Sequence, residues 1–173
     1  MMRDRGYTVS DNTMNQSFED FVAQFKNREA LNMLFQKPSD PKSENVLKPL
    51  DMIDLEQKIL VYYPEEDKVG ASYIKKIALK MCDLQVTNAV VILKNSTNLA
   101  KKEIESLKPC ILELFTQDEL MYNITHHDLV PKHQILPLEK RAELLLKYKI
   151  KEHQLPKILC SDPVARYLGV RKG

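Results

Sequence analysis

Residues 89–93 read "AVVIL", five apolar side chains in a row with no polar alternation. A strand with one wet face alternates, so an unbroken Val/Ile/Leu run fits a strand covered on both faces. Two other stretches share this character: "KILVYY" (58–63), closed by Pro64 and the acidic turn "PEEDKVG", and "ILELF" (111–115). Helical periodicity fills the gaps between them. Tyr73, Ile74, Ile77, Ala78 and Met81 recur on one side of a helix, with Lys75, Lys76 and Lys80 on the other. Thr97 stands at the cap of a second helix through Leu107, with Leu99, Ala100, Ile104 and Leu107 on its apolar side and Pro109 as its stop. Strand alternating with helix predicts an α/β sandwich with some parallel pairing.

Toward the N-terminus, Ser17 caps a predicted helix in which Phe18, Phe21, Val22 and Phe25 follow helical spacing. Leu31, Met33 and Phe35 then alternate as a strand, and "KPSDPKSENVLKP" (37–49) reads as a loop. The only glycines are Gly6, Gly70, Gly169 and Gly173, so the Gly-rich loops that cradle nucleotide phosphates are absent. After residue 125 the elements shorten and proline punctuates them. Pro137 suits the first turn of a helix continued by "LEKRAELLLKY", where Glu143 and Lys147 are one turn apart. "LPKIL" (155–159) reads as a short strand. In "SDPVARYLG", Ser161 or Asp162 caps a helix that has Pro163 in its first turn and ends at Gly169.

The 173 residues suffice for one good core or two small ones, and 43% hydrophobic with 29% charged side chains is ordinary for a globular chain. No apolar run is long enough to span a bilayer, and "MMRDRGYTVSD" lacks a signal-peptide core, so no membrane partner is expected. Cys82, Cys110 and Cys160 are odd in number and widely spaced, as reduced intracellular thiols are. Charge is unevenly spread. Residues 1–125 carry 16 basic against 19 acidic side chains, and residues 126–173 carry 10 against 5. That break marks a candidate boundary, with the basic part suited to nucleic acid or to an acidic protein partner.

Three of the four histidines lie in "NITHHDLVPKH" (123–133). Neighbours His126 and His127 point opposite ways in an extended segment, while His127 and His133 would sit ~20 Å apart at ~3.3 Å per residue. Zinc needs its ligands ~2 Å from one point, so no metal site is expected. A cysteine nucleophile has little support either; only Cys160 lies beside a helix cap that would favour its thiolate. Glu56-Gln57-Lys58 with Asp51 upstream has the spacing of a nuclease metal motif, which leaves a divalent-metal-dependent nuclease as the alternative function. Both acids, however, fall in one loop, whereas converging ligands come from neighbouring strand ends. The pairs Lys75/Lys76 and Lys101/Lys102 read first as solvated helix faces and second as phosphate contacts.

Several motifs carry a family resemblance. "NITHHDLVPKH", "LLLKYKIKEHQLPKIL" (144–159) and "DPVARYLGVRKG" (162–173) resemble the fifth-largest subunit of eukaryotic nuclear RNA polymerases, shared by polymerases I, II and III, whose C-terminal part is similar to a small subunit of the archaeal RNA polymerase. "RDRGY" (3–7), "YYPEEDKVG" (62–70) and "ILELFTQDEL" (111–120) resemble its N-terminal domain, so the likeness runs in order along the whole chain. It implies a jaw domain over 1–125 with a restriction-endonuclease-like α/β fold without nuclease activity. It also implies an α/β assembly domain over 126–173 that docks on the largest subunit, with "HDLVPKH" as its first strand. The family begins with another helix before "RDRGY" and continues with two strands after "RKG", so the sequence reads as shortened at both ends. A specialised paralogue serving another partner is a third reading.

The implied role is a non-catalytic, cofactor-free nuclear subunit that contacts other polymerase subunits and helps form the lower jaw around downstream duplex DNA. The jaw turn that faces DNA in the family is Thr-Pro in relatives and Thr97-Asn98 here, which makes Thr97, Asn98, Lys101 and Lys102 the candidate DNA-proximal residues. The candidate docking residues are His127, Leu129, Val130, Pro131, His133, Gln154, Leu155, Pro156, Asp162, Pro163, Arg166 and Tyr167.

Overall fold

The computed structural model describes residues 1–25, 27–38, 58–66, 68–107 and 110–170. The chain divides into two compact units, residues 2–122 and residues 123–173 together with Met1. The first unit runs α1 (Asp11–Met14), α2 (Phe18–Gln24), a 3₁₀ turn (Arg28–Leu31), β1 (Met33–Gln36), β2 (Lys58–Tyr62), β3 (Lys68–Val69), α3 (Ala71–Asp83), β4 (Asn88–Leu93), β5 (Asn95–Ser96), α4 (Asn98–Ser106), β6 (Ile111–Thr116) and α5 (Gln117–Met121).

Its main sheet has the order β1-β2-β4-β6, with β1 antiparallel to β2 and the other pairs parallel. The "AVVIL" run is the centre of β4, flanked by β2 and β6 and buried at every position. Parallel neighbours require crossovers, and α3 and α4 supply them, which is why helical and strand periods alternate in the sequence. Leu60, Tyr62, Ala89, Val91, Leu93 and Leu112 share one face and pack with Ile74, Ile77 and Met81 of α3 and Ala100 of α4. Ile74 and Met81 are fully buried, each worth about 1.5–3 kcal/mol of apolar transfer. The expected fold class thus holds at its coarse level, a mixed α/β unit around one four-stranded sheet.

The alternate residues Ile59, Val61, Val90, Ile92 and Phe115 line the other face and are also buried. The N-terminal segment belongs to that side. Arg5 donates to both carboxylate oxygens of Glu113, at 2.7 and 3.3 Å, and its guanidinium lies 5.9 Å from the Phe115 ring centre. Thr8 donates from its backbone and its hydroxyl to the Gln36 carbonyl, tying the segment to β1. Between them Gly6 adopts φ +85°, and Gly6 and Tyr7 donate to the carbonyls of Arg3 and Met2. A side chain would have room at Gly6, but an L residue pays for the left-handed backbone.

The predicted caps are present: Ser17 accepts from Asp20 N–H, and Thr97 from Ala100 N–H. The helix faces depart from prediction in two places. No residue of α2 is buried, and Leu99, expected on the apolar side of α4, is 70% exposed. Its neighbour Ala100 is the first-turn residue that turns inward to the core, and Leu99, one position earlier, is rotated away from it. The loop expected over 37–49 lies mostly outside the described residues, as does Pro109.

The second unit holds a 3₁₀ turn (Ile124–His126), α6 (Leu138–Tyr148), a 3₁₀ turn (Glu152–Gln154) and α7 (Pro163–Leu168). It corrects the expected α/β character, for no strand is present among its described residues. "HDLVPKH" is a turn followed by irregular chain, and "LPKIL" is likewise irregular. A strand exists only as one member of a pair, and Pro131 and Pro156 each remove a ladder donor from their segment. The helices were legible. Asp162 Oδ1 accepts from Val164 and Ala165 N–H, Pro163 opens α7, and Gly169 closes it at φ +67°. Pro137 falls one residue earlier than expected, at the cap of α6. Lys149 closes α6 in the left-handed region, with Ile150 donating to Leu145. No helix among the described residues is long and apolar enough to cross a membrane.

Candidate docking and nucleic-acid surfaces

In the second unit, Ala165 and Tyr167 are the only buried hydrophobic residues among those described. Its large apolar side chains point outward instead: Leu129 is 85% exposed and Leu146 77%, with Ile135, Leu136, Tyr148, Ile158 and Leu159 also exposed. These seven large apolar side chains, exposed within a unit this small, make it a candidate surface for a partner to cover.

The candidate docking residues divide between outward presentation and local architecture. Leu129, Pro131, Pro156 and Pro163 are exposed, while Val130 and Leu155 are half-buried. His127 uses Nδ1 to accept from Leu129 N–H at 3.2 Å, and His133 Nδ1 lies 2.7 Å from the Pro131 carbonyl, so each ring fixes its own turn. Gln154 Oε1 accepts from Lys151 N–H at 2.7 Å, closing the 3₁₀ turn. Asp162 is the α7 cap, Arg166 is half-buried, and Tyr167 is buried. Sequence reasoning did not single out Ile135, Leu136 or Leu159, because an apolar residue in a short irregular segment looks the same whether it packs inward or not, nor Leu146, which ends the Leu144-Leu145-Leu146 run of α6. Arg141 pairs with Glu152 at 2.6 Å and ties α6 to the 3₁₀ turn that follows.

The candidate DNA-proximal corner lies in the first unit. Thr97 caps α4 and also donates to the Val69 carbonyl at 3.4 Å, which joins the corner to β3. Thr97, Asn98 and Lys102 are exposed. The side chain of Lys101 lies outside the described residues. Of the other lysine pair, Lys75 contacts Glu103 at 3.4 Å, so part of the basic face is compensated by α4 itself.

Candidates for chemistry fare differently. Among the described residues no cluster of three His, Cys, Asp or Glu side chains is placed to hold a metal. Asp51 and Glu56 lie outside the described residues, and Lys58 opens β2. Burial pushes the Cys110 thiol pKa up, with the neighbouring Cys82 thiol adding to the rise, the opposite of an activated nucleophile. Tyr73 is raised to about 12 by desolvation first and by its hydrogen bond to Tyr62 second. The two hydroxyls are 3.3 Å apart, and Lys80 donates to Tyr62 Oη at 3.2 Å.

Two domain profiles of one family match this architecture: "RNA polymerase Rpb5, N-terminal domain" over residues 1–81, and "RNA polymerase Rpb5, C-terminal domain" over residues 122–173. The chain belongs to the Rpb5 family. It is 37% identical over 175 residues to the Caenorhabditis elegans protein named DNA-directed RNA polymerases I, II, and III subunit RPABC1, an alignment covering all of this chain and 80% of that one. The Dictyostelium discoideum protein of the same name is 39% identical over 177 residues, covering 100% of this chain and 81% of the relative. An Arabidopsis thaliana protein named DNA-directed RNA polymerase subunit 5-like protein 1 is 37% identical over 182 residues, with 100% and 80% covered. These relatives give the nuclease alternative no support.

Proposed function

We propose that this chain is a non-catalytic subunit of the nuclear DNA-directed RNA polymerases I, II and III. The observation that carries the proposal is similarity over all of this chain to relatives named as that shared subunit, with N- and C-terminal family domains in order along the chain. Residues 1–125 would act as a restriction-endonuclease-like jaw on the downstream DNA side, presenting Thr97, Asn98, Lys101 and Lys102. Residues 126–173 would dock on the largest subunit through the candidate residues named above. The exposed Leu129, in a segment of 126–173 that carries 10 basic against 5 acidic side chains, supports that division, since an apolar contact within a net basic surface suits a protein partner. Assembly would hold the protein in the nucleus.

Affinity purification of the tagged full-length protein tests the reading. Recovery of the largest subunits of all three polymerases is the expected result. Recovery of one polymerase alone would assign the chain to a specialised paralogue, and recovery of none would sink the proposal.

A further inference from the structure

Helix α2 combines features that a finished surface does not. It has seven residues, none of them buried, and Phe18 is 81% exposed, with Phe21 and Val22 open as well. A helix of this length is marginal in water and draws its stability from packing of an apolar face. Here the aromatic contact on that face is local, Phe21 against Phe25 at 4.9 Å between ring centres. Phe25 in turn forms one wall of an adjoining groove of about 760 Å³, whose other walls include Asp11, Gln16, Asp20, Gln24 and Asn32. The apolar ridge and the polar groove are therefore continuous.

Charge decides what fits. Residues 10–33, which span the helix and the groove walls, contain Asp11, Glu19, Asp20 and Glu29 against Lys26 and Arg28, and among the described residues the charged side chains that line the groove are Asp11 and Asp20. Asp20 Oδ2 accepts a hydrogen bond from the Ser17 hydroxyl at 2.7 Å. An acidic partner would be repelled, and a purely apolar one would leave both carboxylates desolvated and unpaired.

We propose that α2 and its groove form a docking surface for a short basic amphipathic segment of a partner protein. Its apolar side chains cover Phe18, Phe21 and Val22, and its lysine or arginine side chains enter the groove toward Asp11 and Asp20. The proposal does not depend on the role of the candidate docking residues of the second unit. The whole chain carries a net charge of +2, so capture of a cationic peptide there reflects local pairing, not bulk attraction.

Fluorescence anisotropy of the full chain with a labelled Leu/Lys amphipathic peptide tests it, with a scrambled peptide of equal composition and a Leu/Glu amphipathic peptide as controls. Saturable binding of the Leu/Lys peptide alone is expected, weakening with salt and falling at least tenfold in Phe18→Ser/Val22→Ser and in Asp11→Lys. Both substitutions sit on exposed positions, and unchanged circular dichroism confirms that each variant is folded. Equal binding of the scrambled or acidic peptide overturns the proposal, as does binding that neither variant weakens. Concentration-dependent dimerisation abolished by Phe18→Ser overturns it in favour of a second copy as the occupant.

Discussion

The two units use their apolar residues in opposite ways. In residues 2–122 they converge on both faces of β4, where Val90 and Val91 are fully buried. In residues 123–170 many of them are exposed or half-buried, and among the described residues only Ala165 and Tyr167 are buried hydrophobics. Both units are built from short elements with well-formed caps, so local structure does not explain the difference. A sheet gives its side chains two faces to bury, whereas two short helices and two turns enclose too little volume to shield a core. The first unit buries a core of its own, and the second leaves most of its large apolar side chains partly or fully exposed.

The largest break in that comparison would come from separating the units. Residues 2–122 expressed alone are expected to unfold in one cooperative transition by circular dichroism, and residues 123–173 alone to show none. A sharp melt from the second fragment would overturn the contrast. Next in size are core truncations. Ile74→Ala should cost about 2–5 kcal/mol in chemical denaturation, whereas Leu129→Ala should stay within about 0.5 kcal/mol. Equal costs would show that Leu129 is part of a core.

Arg5 and Glu113 bear on the sheet's second face. The Arg5 side chain is 5% exposed, so Glu113→Ala removes a carboxylate partner from a nearly buried charge. A loss of about 1–3 kcal/mol is expected, discounted because Glu113 is 29% exposed, and Arg5→Met combined with Glu113→Ala should recover part of it. The smallest effect is alkaline. Tyr73 has a folded pKa raised from 10.0 to about 12, so its contribution is complete below pH 10 and fades as pH rises toward 12. Ultraviolet titration should show a late tyrosine component that Tyr73→Phe removes; a titration complete by pH 11 would contradict it.

Much of the first unit was legible in the sequence because its signals are local. The runs at 58–63, 89–93 and 111–115 carry apolar residues on both faces, and Ser17 and Thr97 cap where their side chains reach the next turn, as Asp162 does in the second unit. What depends on distant partners was not legible. Arg5 and Glu113 meet across 108 positions, and the short β3–β5 ladder has no apolar signature. The same reason explains the strands expected at "HDLVPKH" and "LPKIL": their composition permits extension, but pairing is a property of two segments. The docking candidates were drawn from family motifs, and motifs do not separate Asp162, which builds a cap, from Leu129, which faces solvent.

The division of labour is tested most directly by hydrogen–deuterium exchange on the full chain, free and within the assembled polymerase. Amides of residues 124–168 are expected to gain strong protection on assembly, while those of β2, β4 and β6, already protected, change little. Unchanged exchange across 124–168, with new protection confined to the first unit, would contradict it.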